Sequence, residues 1–264
     1  MNDTLSTLNW LVEAGADEAV AEEPVNRLAA KAAVQPLQAP RPAPARAPAP
    51  IIEDDAVGGA MASAAAATNL AELQAALEAF DGCALKRTAT NTVFADGVVS
   101  GRILLIGEAP GRDEDRVGKP FVGKAGQLLD KMLASIGLDR KTNAYITNVI
   151  NWRPPDNRDP TPEEAAACLP FLRRHIELAD PEVIILLGAV AARHVVGISD
   201  GIMKLRGRWL EYRVGERMVP LMPTLHPAYL LRQPAHKKLA WRDLQAVRDK
   251  MQTLGLPVTA ARSN

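Results

Sequence analysis

The chain reads as an α/β domain of three layers, α/β/α, with helices on both faces of a mostly parallel central sheet, preceded by a disordered N-terminal extension. Two observations predict it. Strand-length apolar runs at residues 103–106, 145–149, 183–187 and 219–222 are continuous rather than alternating. Helical patterns separate most of them, at 127–136, 162–178, 190–196 and 237–254. Strands apolar on both sides must be covered on both sides, and a helix between each pair returns the chain for parallel pairing. Hydrophobic residues make up 47% of the chain and charged residues 23%, enough for an ordinary core.

The elements follow in order. Residues 3–21 place Leu5, Leu8, Leu11 and Val12 at helical spacing beside Trp10, which predicts a short amphipathic helix and a candidate docking segment for a protein partner. Residues 35–50 alternate Pro with Ala and Arg, a composition that cannot bury enough apolar surface to fold and reads as an extended linker. The Ala-rich stretch 60–67 begins a helix, and Asn69 supplies a cap for a stripe of Leu70, Leu73, Leu77 and Phe80. The expected organisation is therefore an extension over 1–65, a folded domain over 66–257 and a flexible tail over 258–264. Residues 210–214 are more polar and read as an added edge strand.

Composition excludes some classes. Two cysteines, Cys83 and Cys168, do not make a disulfide scaffold. No apolar run approaches the ~18–20 residues of a membrane span, and the N-terminus lacks a secretory pattern, so a cytoplasmic protein is expected. Net charge is zero, but residues 1–60 hold 9 acidic and 4 basic side chains of the 31 of each, which leaves the remainder mildly basic. That suits a phosphate-rich ligand only weakly.

The chemistry-bearing residues collect where strands end. Residues 107–126 read GEAPGRDEDRVGKPFVGKAG, residues 147–161 read TNVINWRPPDNRDPT, and residues 226–232 read HPAYLLR. An α/β sheet places its ligand crevice at the carboxyl ends of its strands. An amide, an aromatic ring, an imidazole and several carboxylates are all brought to that edge.

These three segments, in this order and spacing, resemble the family-four uracil-DNA glycosylases of the wider uracil-DNA glycosylase superfamily, over about residues 70–252. The resemblance implies hydrolysis of the bond between uracil and deoxyribose, leaving an abasic site that starts base excision repair. The partner implied is uracil-containing DNA, single- or double-stranded, met by a monomer. The target bond is unreachable inside a duplex, so the nucleotide must be turned out into a pocket.

On that reading each residue takes a role. Asn148 carries both acceptor and donors, so it can bond uracil N3–H and O4 together and reject cytosine. Phe121, in a glycine-bounded loop, is the stacking platform. His226 is the donor to uracil O2 as charge develops there. Glu114 is the favoured carboxylate for placing water and offsetting positive charge on the sugar, with Glu108 and Asp115 as alternatives, and an acidic cap at a helix start as the plainer reading of Asp113–Asp115. Ala109 stands where other branches of the superfamily carry an aspartate, so backbone N–H groups around Ala109 to Gly111 share the work. Tyr229 or Leu230 is a wedge for the gap left by the base. Arg153, Lys119, Lys124 and Arg232 are candidate phosphate neighbours, with Arg206 and Arg208 as a further basic loop.

One departure is large. The family usually holds a four-iron, four-sulfur cluster through four cysteines. Here two of those positions are Phe80 and Trp152, and only Cys83 and Cys168 remain. Neither ring can donate to iron, while both are bulky enough to fill vacated volume. A fold without the cluster, and with no metal, is expected; a partial site using the two cysteines is the alternative. Three rivals to the main reading are a DNA-binding member that has lost its chemistry, a scaffold acting through residues 3–21, and a branch that bonds covalently through a loop histidine. The short acidic loop 156–162 carries no histidine for the last.

Overall fold

The computed structural model describes residues 54–257. The expected helix over 3–21, the linker over 35–50 and the tail over 258–264 lie outside the described residues.

Folding starts earlier than residue 66. Helix α1 (Asp54–Ala66) precedes the sequence boundary, with Ala60, Ala64 and Ala67 buried. It packs on α5 (Pro162–Ala179), and small side chains let the two backbones approach closely. Helix α2 (Leu70–Ala79) begins where Asn69 accepts the Glu72 backbone N–H at 2.9 Å, and buries Leu73 and Leu77. Helix α5 opens on a reciprocal cap between Thr161 and Glu164, with Pro162 at its first position.

Six strands form one sheet: β1 (Ala95–Gly97), β2 (Ile103–Gly107), β3 (Tyr145–Asn148), β4 (Val183–Leu187), β5 (Leu210–Val214) and β6 (Arg217–Thr224). Their order is β1-β3-β2-β4-β6-β5. The four inner strands are parallel and the two edges antiparallel. The polar edge strand over 210–214 is β5; the three-residue β1 carries no run long enough to read from sequence.

Successive strand residues feed opposite layers. Leu104, Ile106, Ile184 and Leu186 join one core with Trp152, Phe171 and the α1, α2 and α5 side chains. Ile103, Leu105, Val183 and Ile185 join the other, with α4 (Lys124–Ala134) and α9 (Lys237–Thr253). The three layers are thus built from strands whose every residue is buried in β2, β3 and β4.

Register sets the functional edge. Gly107 pairs with Asn148 at the carboxyl ends of β2 and β3, and Leu187 pairs with Thr224 at those of β4 and β6. After β2 the chain adds β3 on one side and later β4 on the other, so the order reverses at β2. The crevice of such a sheet lies at that switch point.

Candidate active site

A cavity of about 160 Å³ opens at these strand tips, lined by Ala109, Gly111, Glu114, Phe121, Ala125, Asn148, His226 and Ala228. A larger cavity of about 440 Å³ runs between α1 and α5 and contains none of the strand-tip residues. Volume does not mark the site here; convergence of polar groups does.

Asn148 ends β3 and is 2% exposed. Its Oδ1 is buried with no hydrogen-bond partner. A buried amide oxygen left unpaired costs about 1–3 kcal/mol, so an orphan acceptor facing a cavity is a group kept for a ligand.

Gly107 explains how that amide is approached. A Cβ at Gly107 would lie 2.4 Å from Asn148 Oδ1 and 2.6 Å from the Phe121 ring. Only a residue without a side chain lets amide and ring meet above β2.

Phe121 is 6% exposed and holds a left-handed backbone with φ of 54°, which bulky residues rarely adopt. Neighbours fix it there. Arg140, itself mostly buried, donates to Phe121 O at 2.9 Å and to Pro120 O at 3.1 Å, and is anchored by Asp96 and Asp130. Gly126 packs so closely that a Cβ would clash with Phe121 O at 1.8 Å. The ring faces His226, with centroids 5.5 Å apart and planes at 34°.

His226 sits at the N-terminus of α8 (Pro227–Arg232), where its Nδ1 accepts the Ala228 backbone N–H at 3.1 Å. Accepting at Nδ1 leaves the proton of the neutral ring on Nε2. Burial, helped by the nearby Arg232 charge, pushes its pKa down to about 4. The ring is therefore a neutral donor across ordinary pH.

Glu114, the carboxylate favoured from sequence, lies on α3 (Arg112–Val117). Its Oε1 accepts from Val122 N at 2.9 Å and Gly123 N at 2.8 Å, and its Oε2 from Gly111 N at 3.1 Å. One carboxylate thus ties the glycine turn after β2 to the Phe121 loop while lining the cavity. Glu108 is half-buried and outside the lining; burial, then the Asp159 charge, raises its pKa, against a lowering by Arg193. Asp115 is buried and accepts from Thr90 N and Asn91 N, fastening a different loop. Of the three carboxylates weighed from sequence, the structure brings only Glu114 to the cavity.

The candidate DNA contacts separate in the same way. Arg153 and Lys124 line a polar cleft of about 390 Å³ with Arg112, and this cleft shares Glu114 and Ala125 with the strand-tip cavity. Lys119 instead reaches Asp96 at 3.0 Å. Arg232 is exposed at the end of α8. Tyr229 pairs its hydroxyl with His236 Nδ1 at 2.7 Å. Leu230 requires correction as a wedge: it is 1% exposed and packs in the core, because the turn of α8 points it inward, while Leu231 is 44% exposed. Arg206 is likewise occupied, bonding Asp243 and Leu239 O.

Sequence reasoning missed Gly107, Ala125, Ala228 and Arg140. A glycine closing an apolar strand is a signal of close approach. Nothing local marks Arg140, whose partners lie 10 to 44 residues away.

The region equivalent to the cluster site is packed. Cys83 and Cys168 are both buried and free, and a hydrogen bond between them lowers the pKa of the first and, with burial, raises that of the second. Trp152 is fully buried with its Nε1 donating to Thr92 Oγ1 at 3.0 Å, and Phe80 packs on Phe171 at 5.2 Å. Two thiols and two rings do not fit a four-iron cluster, which takes four donors.

The chain is similar to known proteins over most of its described residues. The model of the "Uracil DNA glycosylase superfamily" matches residues 94–245. A Type-4 uracil-DNA glycosylase of Thermotoga maritima is 40% identical over 176 residues, covering 66% of this chain and 90% of that protein. One from Archaeoglobus fulgidus is 46% identical over 156 residues, 58% of this chain and 78% of the relative. A third, from Pyrobaculum aerophilum, is 37% identical over 180 residues, 67% of this chain and 91% of the relative.

Proposed function

Because the chain belongs to the uracil DNA glycosylase superfamily, we propose that it is a monofunctional uracil-DNA glycosylase, a hydrolase that releases uracil from DNA and starts base excision repair. The observation that carries the reading is the orphan Asn148 Oδ1 in a cavity shared with Phe121 and His226.

The everted uracil lies against Phe121, a contact worth about 1–3 kcal/mol. Asn148 Oδ1 accepts from N3–H and Nδ2 donates to O4; cytosine would face the amide with acceptor and donor reversed. The bond from C1′ to N1 then breaks, its electron pair leaves with uracil, and positive charge spreads over the sugar. His226 Nε2–H donates to O2 as that oxygen becomes negative, an electrostatic effect worth about 10²–10³ in rate for a well-aimed donor. The Ala109 backbone N–H adds to that field, since Pro110 has none and the Gly111 N–H is held by Glu114. The Glu114 carboxylate offsets the sugar cation; water bonds to C1′, and the proton it loses neutralises the uracil anion, so that the products are the abasic sugar hydroxyl and neutral uracil. Glu114 also holds the two loops together, so its effect on rate includes positioning. Arg153, Lys124, Arg112 and Arg232 take phosphates, and Tyr229 with Leu231 borders the gap left in the stack.

The protein works without an iron–sulfur cluster: Trp152 and Phe80 contribute packing where the family's cluster would contribute bonds. Iron and sulfide assays on purified protein test this, and four irons per chain would overturn it. The two free buried thiols suit a reducing cytoplasm, and the protein acts there as a monomer. Among the described residues no helix is long and apolar enough to cross a membrane. A partner-binding role for residues 3–21 coexists with catalysis; deleting residues 1–50 should leave excision intact.

The function is tested on uracil-containing oligonucleotides. The expected product is an abasic site, seen as strand breakage only after alkali. Absence of product under single-turnover conditions would overturn the assignment.

A further inference from the structure

Helices α4 and α9 enclose a second groove, of about 220 Å³, lined among others by Lys131, Met132, Leu230, Lys237, Trp241 and Leu244. Its floor is apolar and buried, since Leu230, Ala240 and Leu244 all belong to the core. Its rim is aromatic and cationic. Trp241 is 40% exposed, an unusual state for the largest side chain when no packing role holds it out. Lys237 lies one turn before Trp241 on the same face of α9, and Lys131 faces them from α4. Lys238 and Arg242 follow on α9. None of these four cations makes a salt bridge with a carboxylate among the described residues, although ten other basic side chains do.

The groove and the base cavity share no lining residue but are linked through α8. Leu230 on its floor is four residues from His226, and α8, six residues long, spans only about 9 Å. A DNA strand with one nucleotide everted beside His226 can run on toward this groove, since His226 and Leu230 are about 6 Å apart along α8.

Resting on the reading of the site as a DNA glycosylase, we propose that this groove is an accessory single-strand DNA site: Trp241 stacks an unpaired base close to the everted one, and Lys131, Lys237, Lys238 and Arg242 hold the flanking phosphates. Phosphate charge complements the four free cations, and a flat ring at the mouth of an apolar groove accepts any base face without reading its sequence. The glycosylase would thereby hold single-stranded stretches more firmly than paired ones, because a paired base offers no free face.

The test measures binding of the full chain to uracil-free single-stranded and double-stranded oligonucleotides by fluorescence anisotropy, beside excision from a short uracil trinucleotide that cannot span both sites. Trp241→Ala should weaken single-strand binding fivefold to a hundredfold, with duplex binding and trinucleotide excision unchanged. Trp241→Phe should retain most of the affinity. Lys237→Gln with Lys238→Gln should make the log–log salt slope of single-strand binding shallower, by about 0.7 for each phosphate no longer neutralised. Single-strand affinity unchanged in Trp241→Ala overturns the proposal and leaves the groove to a protein partner. Equal loss on duplex and single strand also overturns it. Failure of the wild type to excise uracil refutes the catalytic reading separately, since the binding arms do not depend on cleavage.

Discussion

Two regions of this molecule are packed in opposite ways. Around Asn148, the fold keeps a buried oxygen unpaired and a space of about 160 Å³ open beside it. Around Cys83 and Cys168, rings occupy the space: Trp152 is fully buried and its one donor is satisfied by Thr92. On the proposed reading, the difference separates a site kept open for a ligand from a region filled by packing. Holding a polar atom without a partner costs stability and is sustained only by surrounding structure, here Gly107, Arg140 and the Glu114 clamp. A site with no ligand to wait for is free to fill and gain packing.

The comparison breaks first at Trp152. Trp152→Ala should lower unfolding free energy by about 3–5 kcal/mol, read from denaturant midpoints, with excision per folded molecule unaltered. A loss of excision without a loss of stability would make the packed region part of the site. His226→Ala should do the reverse, lowering the single-turnover rate about 10²–10³-fold while the melting temperature stays close to that of the wild type. Gly107→Ala brings a methyl against Asn148 and Phe121, and should lower excision about 10²-fold by displacing both; a near-wild-type rate would mean that neither group needs its observed place.

The smallest effect expected is with pH. His226 titrates near 4 when folded and near 6.5 when unfolded. A histidine depressed in the folded state contributes stability that is complete above about pH 6.5 and is lost as pH falls through about 4. The excision rate should therefore show no step near pH 6.5 that disappears in His226→Ala. Such a step would show an exposed, ordinary imidazole.

Much of this was legible in sequence, for physical reasons. The inner strands are buried on both faces, so their continuous apolar runs at 103–106 and 183–187 announce them. Asn148, Phe121 and His226 sit at strand ends or in glycine-bounded loops, positions that sequence marks. What escaped depends on direction or distance. Leu230 and Leu231 are neighbours in sequence, and only the turn of α8 decides which is buried. Glu114 and Asp115 are likewise adjacent, yet they serve different loops. Helix α1 is alanine-rich and nearly patternless, so its packing against α5 could be seen only in three dimensions.

A crystal structure of the protein soaked with free uracil tests the central claim most directly. The account predicts uracil N3–H within hydrogen-bond distance of Asn148 Oδ1, the ring stacked on Phe121, and O2 facing His226 Nε2. Uracil bound elsewhere, or bound in this cavity with Asn148 Oδ1 still unpaired, would contradict it.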